Sequence, residues 1–347
     1  MAIIRDPSKE SVQARMNQSV KARVNQSAQA RMNRIRNKTL PILWSVFRYL
    51  LIIGITFIII YPIISKFSVA FKDKQDIYNP TIYMIPVHFT LDNFKIVLDL
   101  LDYWPLLLNT MIYVFITMLL TTMSTALAGY GFARFTFPGS NLLFALVVLT
   151  ILIPMSTLMV PMYLHFRSFD VLGLVRLFSG QEGINLLNSY WPSIITSATA
   201  TGLKAGLFVY IFRQFFRGLP KEIEEAALID GAGGIKTFFA IMLPNAIPPL
   251  ITVTLFSFVW QYNDTFYTSL FMSEGALMPL KIASLPADAN QFLPSIMGLG
   301  SSAKADPNYV ALVVDTGILL AILPLIALYL FVQRHFVESV ERTGVVG

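Results

Sequence analysis

The stretch Glu222-Ile223-Glu224-Glu225-Ala226-Ala227-Leu228-Ile229-Asp230-Gly231, followed nine residues later by Ile241-Met242-Leu243-Pro244, opens polar and charged inside a strongly apolar chain. Pro220 stands where a helix can begin, because the first turn tolerates a missing N–H. Glu222, Glu224 and Glu225 then face the positive end of the helix dipole. Ala226 and Ala227 leave a low face that another protein can approach closely. Asp230-Gly231 supplies a turn, with the glycine free to take positive φ. Gly233-Gly234 lengthens the corner before Ile235–Leu243 runs back toward the bilayer, where Pro244 is expected to open the next span. A helix, a turn and a returning helix form an element built to be gripped from outside the lipid.

The surrounding chain demands a membrane. Of its 347 residues, 55% are hydrophobic and 13% charged, with a mean hydropathy of +0.63. Soluble domains carry about twice that charge. Apolar runs of the length that crosses a bilayer, about 20 residues, recur six times. They are placed at Val46–Ile64, Leu106–Leu127, Leu142–Tyr163, Pro192–Phe212, Ala246–Phe266 and Tyr309–Phe331. The expected fold is all-α, a polytopic helical membrane protein with six transmembrane helices. Residues 1–45 are a basic tail, 46–104 the first helix and an outside segment, 105–332 the transmembrane core with a loop at 217–244, and 333–347 a C-terminal tail.

Several chemistries are excluded. There is no cysteine, hence no disulfide, thiol nucleophile or Cys-based metal site. His88, His165 and His335 are scattered and form no HExxH pair. No phosphate-cradling G-x-x-x-x-G-K-[ST] occurs, so ATP, if used, binds another polypeptide. No catalytic residue, metal or cofactor is expected on the chain, and no nucleic-acid partner. The first 40 residues are polar and basic without an apolar stretch, so no cleavable signal is expected.

Orientation follows from the cations. With the N-terminus cytoplasmic, 17 lysines and arginines lie inside and eight outside, and Lys204 falls within a span. The positive-inside rule therefore puts both termini and the Glu225–Pro244 loop in the cytoplasm, where ATP is available. An eight-residue repeat, Gln13-Ala14-Arg15-Met16-Asn17 to Gln29-Ala30-Arg31-Met32-Asn33, precedes the first span. It reads either as a basic interfacial helix drawn to anionic lipid or as a solvated tail that fixes orientation. The outside segments Ala70–Tyr103, Arg167–Trp191 and Met272–Asn308 read as loops.

The spacing E-A-A-x-x-x-G-x9-I-x-L-P, matched here by Glu225, Ala226, Ala227, Gly231, Ile241, Leu243 and Pro244, resembles the signature loop of permeases of ABC importers. Ala128-Gly129-Tyr130-Gly131-Phe132-Ala133-Arg134-Phe135, Leu187-Asn188-Ser189-Tyr190-Trp191, Phe212-Arg213-Gln214-Phe215-Phe216 and Gln333-Arg334-His335-Phe336-Val337-Glu338 resemble the carbohydrate-importer branch, most of all the second permease of maltose-type importers. The likeness covers about residues 45–340. It implies the type I importer permease fold, a bacterial-type inner membrane, and a docking role for Glu224, Glu225 and the Asp230-Gly231 turn. The implied partners are a second, similar permease, two ATP-binding subunits holding ATP and Mg, an extracellular solute-binding protein, membrane lipid and a carbohydrate. Two departures stand out. Gly233-Gly234 replaces a frequent capping residue, so capping there should be weak, and the Glu341–Gly347 ending differs from the usual one.

Lys204 is the outstanding charge within a span. It lies twelve residues beyond Pro192, about 18 Å at helical rise, where a lysine facing lipid costs roughly 2.5–3.5 kcal/mol. Either it contacts a sugar hydroxyl or an anionic group, or it is a structural charge. Gly202 and Gly206 flank it in a spacing that permits close helix approach. Trp260, Tyr262, Asn263 and Asp264 offer an aromatic face beside amide and carboxylate groups, suited to a sugar ring or to an interfacial aromatic belt. Asn109 and Asp315 are further candidates for the path. Pro154, Pro161 and Pro248-Pro249 should bend helices.

The reading is a translocation subunit for mono- or oligosaccharides that is not itself an enzyme. The alternatives are an amino-acid or peptide permease of the same class and a secondary transporter. The latter would show paired repeats with interrupted helices, and the sequence displays neither. An intramembrane hydrolase lacks its nucleophile and base.

Overall fold

The computed structural model describes residues 41–171, 173–180, 182–272, 277–296, 298 and 304–344, with side chains through 333 except at 179. The N-terminal repeat therefore lies outside the described residues, as do the side chains of Arg334–Glu338. Among the described residues the chain is all-helical apart from two isolated bridges, Lys72 with Phe89 and Phe169 with Ile184. It divides between Ser65 and Lys66 into two units. The first unit holds most of α1 (Pro41–Ala70), a 30-residue apolar helix.

The second unit contains α2 (Asp92–Leu101), α3 (Tyr103–Arg134), α4 (Ser140–Leu152), α5 (Met155–Arg167), α6 (Trp191–Ala198), α7 (Ala205–Gly218) and α8 (Glu222–Ile229). There follow α9 (Gly234–Asn245), α10 (Ile247–Tyr262), α11 (Phe266–Phe271), α12 (Met278–Ile296) and α13 (Pro307–Gly344).

The expected six spans take a less regular form. Among the described residues, three helices are long and apolar enough to cross a membrane: α1, α3 and the Pro307–Gln333 part of α13. The third expected span is the pair α4 and α5, bent by 107° where Ile153-Pro154 interrupts the helix, and the fifth is α9 and α10, bent by 83° at Ala246. Pro154 behaves as anticipated, since proline lacks the N–H that would continue the ladder. Pro248 and Pro249 sit in the first turn of α10, where they cost little. The fourth expected span, Pro192–Phe212, is not one helix. It breaks into the eight-residue α6 and the 14-residue α7. Interrupted helices are thus present although the sequence reading saw none, so interruption alone does not separate a secondary transporter from an importer permease.

Two segments expected to lie outside hold more structure than composition implies. Met278–Ile296, read as loop because of Pro286 and Pro294, is a 19-residue helix. Leu285, Ala289 and Leu293 recur every four residues and are fully buried; α12 packs on α13, and that burial outweighs the two prolines. Between α1 and α2, the buried Asp76 carboxylate gathers the Val87 and His88 N–H groups at 2.7 and 2.8 Å and the His88 Nδ1 at 2.7 Å. Burial alone would raise its pKa, but these bonds outweigh it and hold the carboxyl below its ordinary value.

The core follows helical spacing. Phe208, Phe212 and Phe216, each one turn apart on α7, pack with Ala126 and Tyr130 of α3 and with Phe238 and Met242 of α9. A second cluster joins Val97 and Leu101 to Leu285, Leu312 and Val313. On α3 the buried threonines 110, 117 and 125 satisfy their hydroxyls on carbonyls four residues back, at 2.6–2.8 Å. That keeps polar side chains tolerable inside an apolar bundle.

Candidate functional site: a docking hairpin and a cavity joined by one helix

The hairpin is built as the sequence suggests, with one division of labour. Helix α8 carries Glu222, Glu224 and Glu225 in its first turn, and Gly231 takes φ +77° at the turn. Glu225, Ala226 and Asp230 are exposed, whereas Ala227 is 4% exposed and packs inward. The low face is therefore Ala226 alone. Leu228, Ile229 and Ile235 also project outward, Ile229 at 85% and Ile235 at 80% exposed. Aliphatic tips beside a carboxylate are the composition of a protein contact rather than of a solvated corner. Gly233 caps the return helix without a side-chain bond, in line with the weak capping expected.

Glu224 faces the other way. Its Oε1 accepts from the Tyr130 hydroxyl at 2.6 Å, and its Oε2 lies 3.4 Å from Arg134 Nε. Arg134 also donates from Nη2 to the Leu219 carbonyl at 2.9 Å. Both charges are largely buried, so their separation would leave an uncompensated ion. This carboxylate fastens the hairpin to α3 instead of meeting a partner. Sequence reading grouped Glu224 with Glu225 and assigned no role to Tyr130 or Arg134. The available signal was their spacing of four, which puts both on one face of α3.

The return helix is not uniform: residues Phe238–Met242 form a π-helical turn before Leu243–Asn245, and the span itself starts at Ile247 rather than Pro244. The extra residue in the turn leaves Phe238 and Met242 buried while Ile241 is half-buried and Pro244 exposed. Such bulges often mark functional segments.

Helix α7 leaves the hairpin at Gly218 and ends at Lys204, about 21 Å away at helical rise. There the chain between Thr199 and Lys204 is not helical. Ala200 and Lys204 take φ +55° and +58°, the left-handed region that costs a residue with a Cβ roughly 1–2 kcal/mol. Thr201 N–H reaches back to the Thr196 carbonyl at 3.0 Å, and the Thr199 and Thr201 hydroxyls bond each other at 2.9 Å. Those local bonds compete with helix continuation. Lys204 is therefore the residue before a helix start, not a mid-helix charge. Gly206 does allow close approach: a Cβ there would meet Thr150 Oγ1 and come within 2.9 Å of the Val147 carbonyl on α4. Gly202 touches only its own turn, around Thr196 and Ser197.

Beside this break lies a cavity of about 730 Å³ among α3, α4, α5, α7 and α10. Lys204 and Trp260, separate candidates in sequence, meet here, with the ammonium 5.8 Å from the indole centroid. Trp260 is held between Phe208 and Phe256, each with ring centroids 5.5 Å away. Tyr267 joins the lining. The other candidates lie elsewhere. Tyr262 turns to the opposite side and donates to the Ala321 carbonyl at 2.7 Å. Asn263 bonds the Val259 carbonyl at 2.8 Å, and buried Asp264 receives the Tyr267 and Thr268 N–H groups at 3.2 and 3.0 Å. Both sit past the end of α10 and shape its exit, contrary to a place inside the span. Asp315 pairs with Lys66, and Asn109 is half-buried on α3; neither lines the cavity.

Among the described residues the fold is a bundle of helices, three of them long and apolar enough to cross a membrane, with an exposed hairpin strapped to one of these. Residues 125–342 match the family described as binding-protein-dependent transport system inner membrane component, and the chain belongs to that family. It is 27% identical to an arabinooligosaccharide transport system permease protein of Halalkalibacterium halodurans, over 90% of this chain and all of that one. It is 27% identical to the diacetylchitobiose uptake system permease protein of Streptomyces coelicolor (87% and 85% covered). It is 26% identical to the maltodextrin transport system permease protein of Bacillus subtilis (86% and 95% covered). A solved structure, a bacterial ABC transporter involved in the import of the acidic polysaccharide alginate, shares the fold with TM-score 0.68 at 21% identity, covering 85% of this chain and 96% of that one. The chain is accordingly an inner-membrane transport component with the importer permease fold.

Proposed function

We propose that this chain is one of two paired permeases in an ATP-driven importer of saccharides. The family and three relatives named for oligosaccharide transport support the cargo class. The observation that carries the mechanism is the outward-facing Glu225–Asp230 corner on a hairpin whose other carboxylate, Glu224, is locked to α3. ATP and Mg are held by two copies of a separate ATPase, whose closure on nucleotide pushes that corner. Helix α7 and the Glu224–Arg134 contact carry the push to the helices around Lys204 and Trp260, and the bundle exchanges inward-open for outward-open. An extracellular binding protein delivers the saccharide, and both termini lie in the cytoplasm.

Isolation of the complex in mild detergent, followed by ATPase and uptake assays with neutral sugars, uronates, amino acids and peptides, tests this. Co-purification of an ATPase and stimulation by a saccharide are expected. Stimulation by a peptide with no response to any saccharide would overturn the cargo class.

A further inference from the structure

Resting on that saccharide reading, we infer that the cavity beside the helix break takes a carboxylate-bearing saccharide, with Lys204 as its counter-charge. Among the described residues, Lys204 is the single charged one in the cavity wall, which contains no aspartate or glutamate. Among the described residues no carboxylate lies within ion-pair distance of it. Its recorded partner is the Trp260 face, which attracts a cation through its quadrupole but leaves the charge unneutralised. Lys204 is exposed and not packed into the bundle, so its charge is open to an anionic group entering the cavity that it lines. That cavity is large enough for a sugar of one or two rings.

The rest of the wall suits a sugar more than a phosphate headgroup. Trp260, stacked on Phe208 and Phe256, and Tyr267 give the wall aromatic surface against which the C–H side of a pyranose can pack. Tyr267 and Thr201 add hydroxyl chemistry at the rim. The start of α7 lies in the same wall, has no side-chain cap, and, as a helix N-terminus, adds positive partial charge beside Lys204. A neutral sugar would use the aromatic face and forgo the ion pair. A uronate gains both, so the site discriminates by charge.

The test uses the intact complex in nanodiscs of neutral lipid, with trigalacturonate and maltotriose as probes, binding being read by calorimetry. Wild type should bind trigalacturonate more tightly than maltotriose, with an affinity that falls as salt rises. Lys204→Met should weaken trigalacturonate at least tenfold and leave maltotriose within about twofold, and Lys204→Arg should retain most of the preference. Equal trigalacturonate affinity in wild type and Lys204→Met overturns the inference, as does binding of maltotriose alone; either result leaves the saccharide reading standing. Failure of both probes together with a peptide-stimulated ATPase overturns the saccharide reading as well. Phosphatidylglycerol binding that Lys204→Met removes, with both sugars unaffected, overturns the assignment in favour of a lipid headgroup. Should Lys204→Met not assemble, the salt dependence of the wild type and the Lys204→Arg affinities decide.

Discussion

The two ends of α7 handle charge in opposite ways. At Gly218 the chain enters a hairpin whose buried carboxylate, Glu224, is matched by Tyr130 and Arg134, and whose other carboxylate, Glu225, points outward. At Lys204 a lone ammonium rests on an indole ring beside empty space. The first end is finished within the chain except at the exposed Glu225–Asp230 corner, where the proposed ATPase would press. The second is left open on its cavity side. A 14-residue helix with three buried phenylalanines along one face ties them, a close-packed link through which the proposed push would pass. On the proposed reading, the difference separates a part that transmits force from a part that meets cargo.

Breaking the outward end should have the largest effect. Glu225→Lys reverses a charge on the exposed corner and should abolish transport, by more than a hundredfold, and release the ATPase from the purified complex while membrane insertion is unchanged. Unaltered uptake and co-purification would count against the docking role. Breaking the strap should cost less and leave a different signature. Glu224→Gln keeps the shape but removes the charge opposite Arg134, a loss of about 1–3 kcal/mol at a buried pair. The ATPase should stay bound, while ATP turnover continues with transport reduced roughly tenfold. Equal loss of both activities would mean that Glu224 is part of the docking surface after all.

The legibility of these regions differs for physical reasons. The hairpin could be read because its constraints are local: proline and carboxylates at a helix start, glycine at a positive-φ turn, fixed spacing back to Ile241 and Leu243. The partition between Glu224 and Glu225 could not, since it depends on Tyr130 and Arg134 some 90 residues earlier. The break before α7 was hidden by composition. Residues 192–212 are apolar enough for one span, and the alternative bonds among Thr196, Thr199 and Thr201 compete with the helix without changing hydropathy. Helix α12 was hidden in reverse, because two prolines outweighed a Leu285, Ala289, Leu293 stripe in the reading but not in the packed structure.

Smaller changes sharpen the contrast. Gly206→Val should wedge α7 from α4, destabilising the bundle by about 1–3 kcal/mol, seen as a lowered Tm of the complex in detergent; an unchanged Tm would deny the close approach. Tyr262→Phe, which faces away from the cavity, should cost only about 1 kcal/mol through the lost bond to Ala321. Its saccharide affinity should match wild type. A marked affinity loss would bring Tyr262 back into the path.

Since the chain has no cysteine, a single Asp230→Cys variant gives a unique label site. Its reaction with a membrane-impermeant thiol reagent, in sealed vesicles of known orientation, reports the side on which the hairpin lies and whether a partner covers it. Labelling from the cytoplasmic side alone, slowed at least tenfold by the bound ATPase, is the predicted result. Labelling from the outer side, or at the same rate with and without the ATPase, would contradict it.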